Sequence, residues 1–406
     1  MVVYLDNAAT TPMLPEAIEA YTDAMRQVGN PASIHSQGQS AKRMLEEARE
    51  VIARSLGCDP IEVVLTSGGT ESINLAIKGI YWKRNADALR PVILAPGGEH
   101  HATIDTLEWL EKHENAVVAW LPLDADGRVE PAAVERALAE HGSRVALLTL
   151  LWANNEVGTL QPVTEIAALA AAYGVPLHLD AVAAYGYLPV DFAAVRSASG
   201  STGGTGLVAL SVSAHKIGGP VGIGALVVSR SAQVEPLLHG GGQQRQVRSG
   251  TQDVAGAVSF AVAARAADAR LSAESARLTV LRDRVIDGIL DAVPSARLNG
   301  PTGEGRLPGN AHFAFPGCEG DSLLFLLDMA GVSVSTGSAC QAGIPEPSHV
   351  LRAMGRDELE ARGALRVTLG HSTTASDVDA LLAAIPAAYA QAARAGLSDR
   401  KTVLGS

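Results

Sequence analysis

Short apolar runs alternate with longer stretches of helical spacing through the middle of this chain. The runs fall at residues 91–95, 116–121, 145–151 and 175–179, and the stretches between them at 101–113, 131–140 and 163–173. Strands separated by helices of that length predict an α/β fold with a mainly parallel sheet covered on both faces. Ligands of such sheets sit beyond the carboxyl ends of the strands. Polar residues gather there: Glu99, His100 and His101 after the first run, Asn154, Asn155 and Glu156 after the third, and Asp180 closing the fourth. An aspartate in that place fits either a cap or a carboxylate that pairs with a pyridinium nitrogen. His100 fits either a core histidine or an imidazole stacked on a flat ring.

Two further stretches carry chemistry. An apolar run at 207–212 ends in Ser213, Ala214, His215 and Lys216, before a Gly/Pro-rich loop and a second run at 224–229. A lysine there is either a surface residue or a Schiff-base lysine, its amine freed by partial burial and positive neighbours. Earlier, a strand over 61–66 meets Ser67, Gly68, Gly69 and Thr70, and a helix opens near Glu71. Strand, glycine turn and helix N-terminus is a geometry that binds phosphate, because backbone N–H groups and the helix dipole face the anion. The stretch lacks the lysine of a Walker loop and the glycine spacing of a dinucleotide site, so a ligand with a single phosphate fits better than a nucleotide.

A length of 406 residues suggests two domains, and the Ala-rich helical stretch from Asp253 to about Val293 is the candidate bridge between them. Helices are also expected at 15–27, 40–56, 322–329 and 376–394, and strands at 311–315, 332–334 and 365–369. Residues 29–36 form a loop that is either plain connection or a wall of the active site. Residues 196–206 read as a flexible surface loop, and 240–251 as a glycine and arginine loop suited to anions. The net charge of -11 argues against broad nucleic-acid binding. With no apolar run of membrane-spanning length and no N-terminal signal, the chain is expected to be cytoplasmic. Cys58, Cys318 and Cys340 are odd in number and without Cys-x-x-Cys spacing, which disfavours a disulfide framework and a metal site. Cys340 lies amid Ser, Gly, Ala and Pro on a loop, the setting that a thiol needs to meet one partner and then another. Arg366 lies in an apolar strand, where a guanidinium is costly unless it binds a carboxylate.

Five motifs in order now identify a resemblance: Ser67 to Ser72, Glu99-His100, Asn154 to Gly158, Ser213 to Lys216, and Ser335 to Cys340. Together they resemble the cysteine desulfurases, pyridoxal-phosphate enzymes of the class V aminotransferase superfamily. The likeness runs from Tyr4 to about Ala387, and the Cys340 loop is similar to that of the housekeeping group with a long mobile loop. The resemblance implies a fold type I pyridoxal-phosphate enzyme with a seven-stranded-type sheet. Residues 1–15 would pack with a small domain at 256–395, residues 16–255 would form the large cofactor-binding domain, and 396–406 would be a disordered tail. Lys216 would hold pyridoxal 5'-phosphate as a Schiff base and move protons. His100 would stack on its ring, and Asp180 would pair with the pyridine nitrogen. Gly69, Thr70, Ser213 and His215 would bind the phosphate, with Thr251 from the second subunit of a homodimer. Asn155 would sit by the phenolic oxygen and the substrate carboxylate, which Arg366 would clamp. Cys340 would take sulfur from L-cysteine as a persulfide, leaving L-alanine, and pass it to an iron–sulfur scaffold or a tRNA-thiolation enzyme. A lyase for selenocysteine or cysteine sulfinate, or a weakly active sulfur-carrying subunit, are the alternatives.

One departure bears on the chemistry. Ala183 stands where that family usually has a glutamine that bonds the phenolic oxygen, a loss of about 0.5–1.5 kcal/mol if the bond is neutral. Gln246, usually small, and the insertion at 196–206 also depart from the pattern.

Overall fold

The computed structural model describes residues 2–337 and 347–398. The chain opens with a two-residue strand, β1 (Val3–Tyr4), and two helices, α1 (Pro15–Met25) and α2 (Ser36–Ser55). Pro15 stands in the first turn of α1, where its missing N–H leaves no bond unmade. Helix α2 begins four residues earlier than its charge pattern suggests, because the His35 ring caps it by accepting from the Gly38 N–H.

Strands and helices then alternate: β2 (Val63–Thr66), α3 (Gly69–Asn85), β3 (Val92–Pro96), α4 (His101–Glu114), β4 (Val117–Leu121), α5 (Pro131–His141) and β5 (Val145–Leu151). They continue through α6 (Val163–Ala172), β6 (Pro176–Asp180), α7 (Phe192–Ala198), β7 (Gly206–Ser213) and β8 (Gly224–Val228). The seven strands form one sheet in the order β2-β8-β7-β6-β5-β3-β4. The pairings from β7 through β4 are parallel, as the alternating pattern predicts. Strand β8 runs antiparallel to both β7 and β2. The ten residues between β7 and β8 are too few for a crossover helix, so the chain must turn back. Alternate residues of β3 enter different cores, Val92 and Leu94 on one face and Ile93 and Ala95 on the other, which is why the run shows no polar alternation.

The 39-residue helix α8 (Val254–Ala292), capped by Asp253, serves two cores. Ala257, Phe260 and Ala264 pack with α1 and α2, while Leu278, Val285 and Ile289 pack into a second cluster. That cluster is closed by β9 (Arg297–Leu298), β10 (Asn310–Ala314), α9 (Gly320–Met329), β11 (Val332–Ser333), β12 (Ala364–Thr368) and α12 (Ala375–Ser398), while α10 (His349–Ala353) and α11 (Glu358–Arg362) pack Val350, Leu351 and Ala361 with Val157 in a separate small cluster. Strands β12, β10 and β9 make an antiparallel sheet, and β1 pairs with β11 in parallel, bringing Leu5 into the same core.

The loop expected at 196–206 is corrected at its start, while 199–205 is a turn with Gly200, Thr202, Gly203 and Gly204 exposed. Residues 196–198 complete α7, which Asp191 caps and which buries Phe192 and Val195. The serines then serve the backbone: the buried Ser201 hydroxyl accepts from the Leu207 N–H at 2.9 Å and lies 2.7 Å from the Ser199 hydroxyl. Counting apolar residues missed this because the segment is fixed by hydrogen bonds. Beyond β8, Gln244, Arg245 and Gln246 adopt left-handed backbone (φ 51°, 61° and 63°). The turn delivers the Gln244 amide to the edge of β2, where it accepts from Leu65 N at 2.7 Å and donates to Leu65 O at 2.8 Å.

Candidate active site

The carboxyl ends of the parallel strands open onto a cavity of about 280 Å³. Gly69, Thr70, His100, Asn155, Asp180, Ser213, His215 and Lys216 all line it, although 147 residues separate the first from the last. Each arrives by the same local rule, standing where a buried strand gives way to a turn or helix.

Lys216 follows β7 in a single helical turn over Ala214–Lys216. Its Nζ donates to the carbonyl of Ala9 at 2.8 Å and also to that of Ala8. Burial, with the Arg366 cation adding to it, brings this ammonium down to about 8. Asp180, at the end of β6, accepts at Oδ1 from the Val182 N–H at 2.9 Å. Burial lifts it to about 6, which leaves it ionised at neutral pH. His100 caps α4, its Nδ1 accepting from Ala102 N at 3.0 Å. The ring's free surface faces the cavity, while the enclosing protein and then Lys216 hold its pKa near 4. His215 is lowered to about 4 by burial first and Lys216 second. All these imidazoles are therefore neutral under working conditions.

The remaining wall suits an anion. Helix α3 points its N-terminus at the cavity, with the first N–H groups free of partners inside the helix. Gly68, its cap, has φ 151°, and a Cβ on Gly69 would stand 2.9 Å from Val182 Cγ2. Backbone can thus approach an anion closely only because both positions are glycine. Glu71 turns away, to the Ser67 N–H and to Arg248. An amine near neutral pKa, a buried carboxylate, a neutral imidazole and a helix N-terminus around one cavity match the aldehyde, pyridine nitrogen, ring face and phosphate of pyridoxal phosphate. The donor set fits that group.

Arg366 does not line the cavity; it stands one residue behind it, in β12. Its Nη1 donates to the Asn155 carbonyl at 3.0 Å and its Nη2 to Asp6 Oδ1 at 2.9 Å, and its buried Nε has no partner among the described residues. The carboxylate that this buried guanidinium required is therefore supplied within the chain. Thr251 is exposed and lies outside the lining. Cys340 lies outside the described residues, as does the tail from residue 399. Sequence reasoning missed Asn7, Tyr187, Asn310 and Thr368, all of which line the cavity.

Residues 3–381 match the family model for class-V aminotransferases. The chain belongs to that family. It is 52% identical to an IscS-like cysteine desulfurase of Mycobacterium tuberculosis over 97% of its own length and 98% of the relative's. It is 40% identical to the cysteine desulfurase IscS of Dictyoglomus turgidum, across 93% and 92% of the two chains. Among solved structures, a NifS-like protein superposes with a TM-score of 0.86 at 32% identity, covering 96% of this chain and all of that one. SspA in complex with cysteine does so with a TM-score of 0.76 at 31% identity, covering 90% of this chain and 98% of its own. Among the described residues no helix is long and apolar enough to cross a membrane.

Proposed function

We propose that this member of the family is a pyridoxal-phosphate-dependent cysteine desulfurase that passes the sulfur of L-cysteine to Cys340. The observation that carries the reading is the convergence of Lys216, Asp180, His100 and the α3 N-terminus on one cavity, in a chain whose relatives bear that name. Residues 16–255 form the cofactor-binding unit. Residues 256–395 form a smaller unit with the N-terminal segment 1–15 against it, a division supported by the two cores that share α8.

Bound pyridoxal phosphate supplies an electron sink and an anchor for the amino acid. Gly69, Thr70, Ser213 and His215 would hold its phosphate, joined by Thr251 of a second subunit in a homodimer. Lys216 would hold its aldehyde carbon, and as a free amine with a pKa brought down to about 8 it takes and returns a proton near neutrality. Asp180 would keep the pyridine nitrogen protonated, and His100 would lie against the ring. Asn155, which lines the cavity, meets the substrate carboxylate, and Arg366 joins it from behind the lining in exchange for Asp6. The Cys340 thiolate attacks the sulfur of L-cysteine: the substrate's C–S bond breaks and an S–S bond forms. The electron pair stays with the substrate carbon, which takes up a proton and leaves as L-alanine. The persulfide then passes to an acceptor protein of iron–sulfur assembly or tRNA thiolation in the cytoplasm.

The test is alanine formed from L-cysteine and a reductant by the purified protein and by Cys340→Ala, with cofactor absorbance followed alongside. The expected result is turnover by the unaltered protein and none by the variant, both showing the cofactor band. Equal turnover by the two would exclude the persulfide route. Cofactor binding without alanine from either would leave a sulfur-carrying subunit.

A further inference from the structure

Glu71 is the third residue of α3, the helix that presents its N-terminus to the cavity. Gly69 and Thr70 before it line that cavity, whereas Glu71 stands outside the lining. Its side chain reaches back along the chain, Oε2 accepting from the Ser67 N–H at 2.6 Å, and so closes the turn between β2 and α3. Arg248 grips the same carboxylate as a fork, Nε donating to Oε1 at 2.8 Å and Nη2 to Oε2 at 3.3 Å. The two side chains are only 21% and 15% exposed. Burial works against a charged carboxylate there, but the bonds from Arg248 and Ser67 outweigh it and hold Glu71 below the ordinary glutamate value. The pair is therefore ionised at neutral pH.

The loop that delivers Arg248 is strained. Gln244, Arg245 and Gln246 are consecutive left-handed residues with side chains, a run that persists only where its surroundings over-determine it. Here they do. The Gln244 amide bonds both backbone groups of Leu65 in β2 and also accepts from Arg49 Nη1 at 3.2 Å. Val247 is buried in the core that holds Val64 of β2 and Ile73 of α3. The strained turn thus sends Gln244 to the strand and Arg248 to the helix that the glycine turn joins.

We propose that Arg248 is a positioning residue for the cofactor's phosphate, neutralising Glu71 at the helix N-terminus while Glu71 holds the turn at Ser67. The inference rests on the pyridoxal-phosphate reading above. A carboxylate and a phosphate at one helix N-terminus are both drawn by the dipole, and they repel each other. The guanidinium removes that conflict from outside the cavity, so the carboxylate can close the turn without weakening the anion site. Arg248 touches no reacting atom; it acts through Glu71 and the turn.

The experiment uses the full chain stripped of cofactor and compares wild type, Arg248→Ala, Glu71→Gln and the double variant. Equilibrium dialysis gives the Kd of pyridoxal phosphate and of pyridoxal, which lacks the phosphate, and inorganic phosphate is titrated as a competitor. Arg248→Ala is expected to raise the Kd of pyridoxal phosphate about 10-fold and to weaken competition by phosphate similarly, while changing the Kd of pyridoxal less than about 3-fold. Glu71→Gln removes the charge and keeps an amide oxygen for the Ser67 N–H. In the double variant the Kd of pyridoxal phosphate should therefore return to within about 3-fold of wild type. A rise of less than about 3-fold in Arg248→Ala would overturn the proposal. So would equal losses for pyridoxal phosphate and pyridoxal, or a double variant that binds no better than Arg248→Ala, because either result would make Arg248 a purely structural residue. If Arg248→Ala fails to fold, Arg248→Gln, which keeps much of the aliphatic stem, carries the same comparisons. An unaltered chain that binds neither pyridoxal phosphate nor inorganic phosphate would sink the cofactor reading and this inference with it. Normal binding by wild type and Arg248→Ala alike would sink the inference alone.

Discussion

The Nζ of Lys216 donates to the carbonyl of Ala9 at 2.8 Å, so the segment before α1 holds the lysine that follows β7. These partners are neutral dipoles, and burial of the ammonium dominates, giving a pKa near 8 against the ordinary 10.5. In cofactor-free protein, the rate of reductive trapping of Lys216 with an aldehyde should therefore rise with pH up to about 8 and then level off. Peptide mapping after borohydride treatment checks this. A rate still climbing steeply at pH 10 would mean that the amine is as basic as one in water.

Arg366 and Asp6 form a pair in which the guanidinium side chain is 6% exposed and the carboxylate 20%. Breaking such a pair from one side leaves an uncompensated charge, at about 3 kcal/mol or more. Asp6→Ala should lower the denaturant midpoint accordingly and raise KM for L-cysteine as Arg366 loses its orientation. Arg366→Lys should keep the charge yet fail to replace the forked contact to Asp6 and Asn155, so kcat/KM should fall well below wild type. Unchanged kcat/KM in Arg366→Lys would remove Arg366 from substrate binding.

Ala183 lines the cavity. Restoring the amide by Ala183→Gln adds one bond to the cofactor, about 0.5–1.5 kcal/mol, and so should tighten cofactor affinity roughly 2- to 13-fold. Equilibrium dialysis measures it. Weaker binding in the variant would show that the neighbouring side chains have closed over the vacated volume.

Glu99 is 1% exposed, with Oε1 accepting from Leu151 N at 3.0 Å and Oε2 without a partner. Burial raises its carboxyl to about 8, far above the 4.5 of an exposed glutamate. The folded state thus keeps a proton that the unfolded chain releases, so this contribution is full below pH 4.5 and is lost as pH rises through 8. Glu99→Gln removes the titration. In cofactor-free protein its Tm should gain on wild type as pH rises from 4.5 to 8. A gap independent of pH would mean that Glu99 ionises normally in the fold.

The cost of burying an ionisable group depends on what the fold places against it, and here the two levels of description part. The strand ends carrying His100, Asn155 and Asp180 were legible because polar residues gather within a few positions of where each apolar run stops, and open parallel sheets collect such residues at one edge. Arg366 was legible as a guanidinium needing a carboxylate, but nothing in its neighbours along the chain pointed to Asp6, 360 residues away. The start of the segment at 196–206 was misread because Asp191 caps a helix that runs on to Ala198, and the Ser201 hydroxyl ties the turn after it to Leu207 N.

Local sequence therefore determined the parallel sheet, the glycine approach for an anion and those side chains of the cavity that follow β3, β5, β6 and β7. These follow from periodicity and from what backbone can do at a strand end or a helix N-terminus. Tertiary structure alone decided the partners: Asp6 for Arg366, the Ala9 carbonyl for Lys216, and Ser348 for Glu156. A hydrogen bond or ion pair is specified by distances of about 3 Å in space. Residues hundreds of positions apart reach that distance only once both cores have packed.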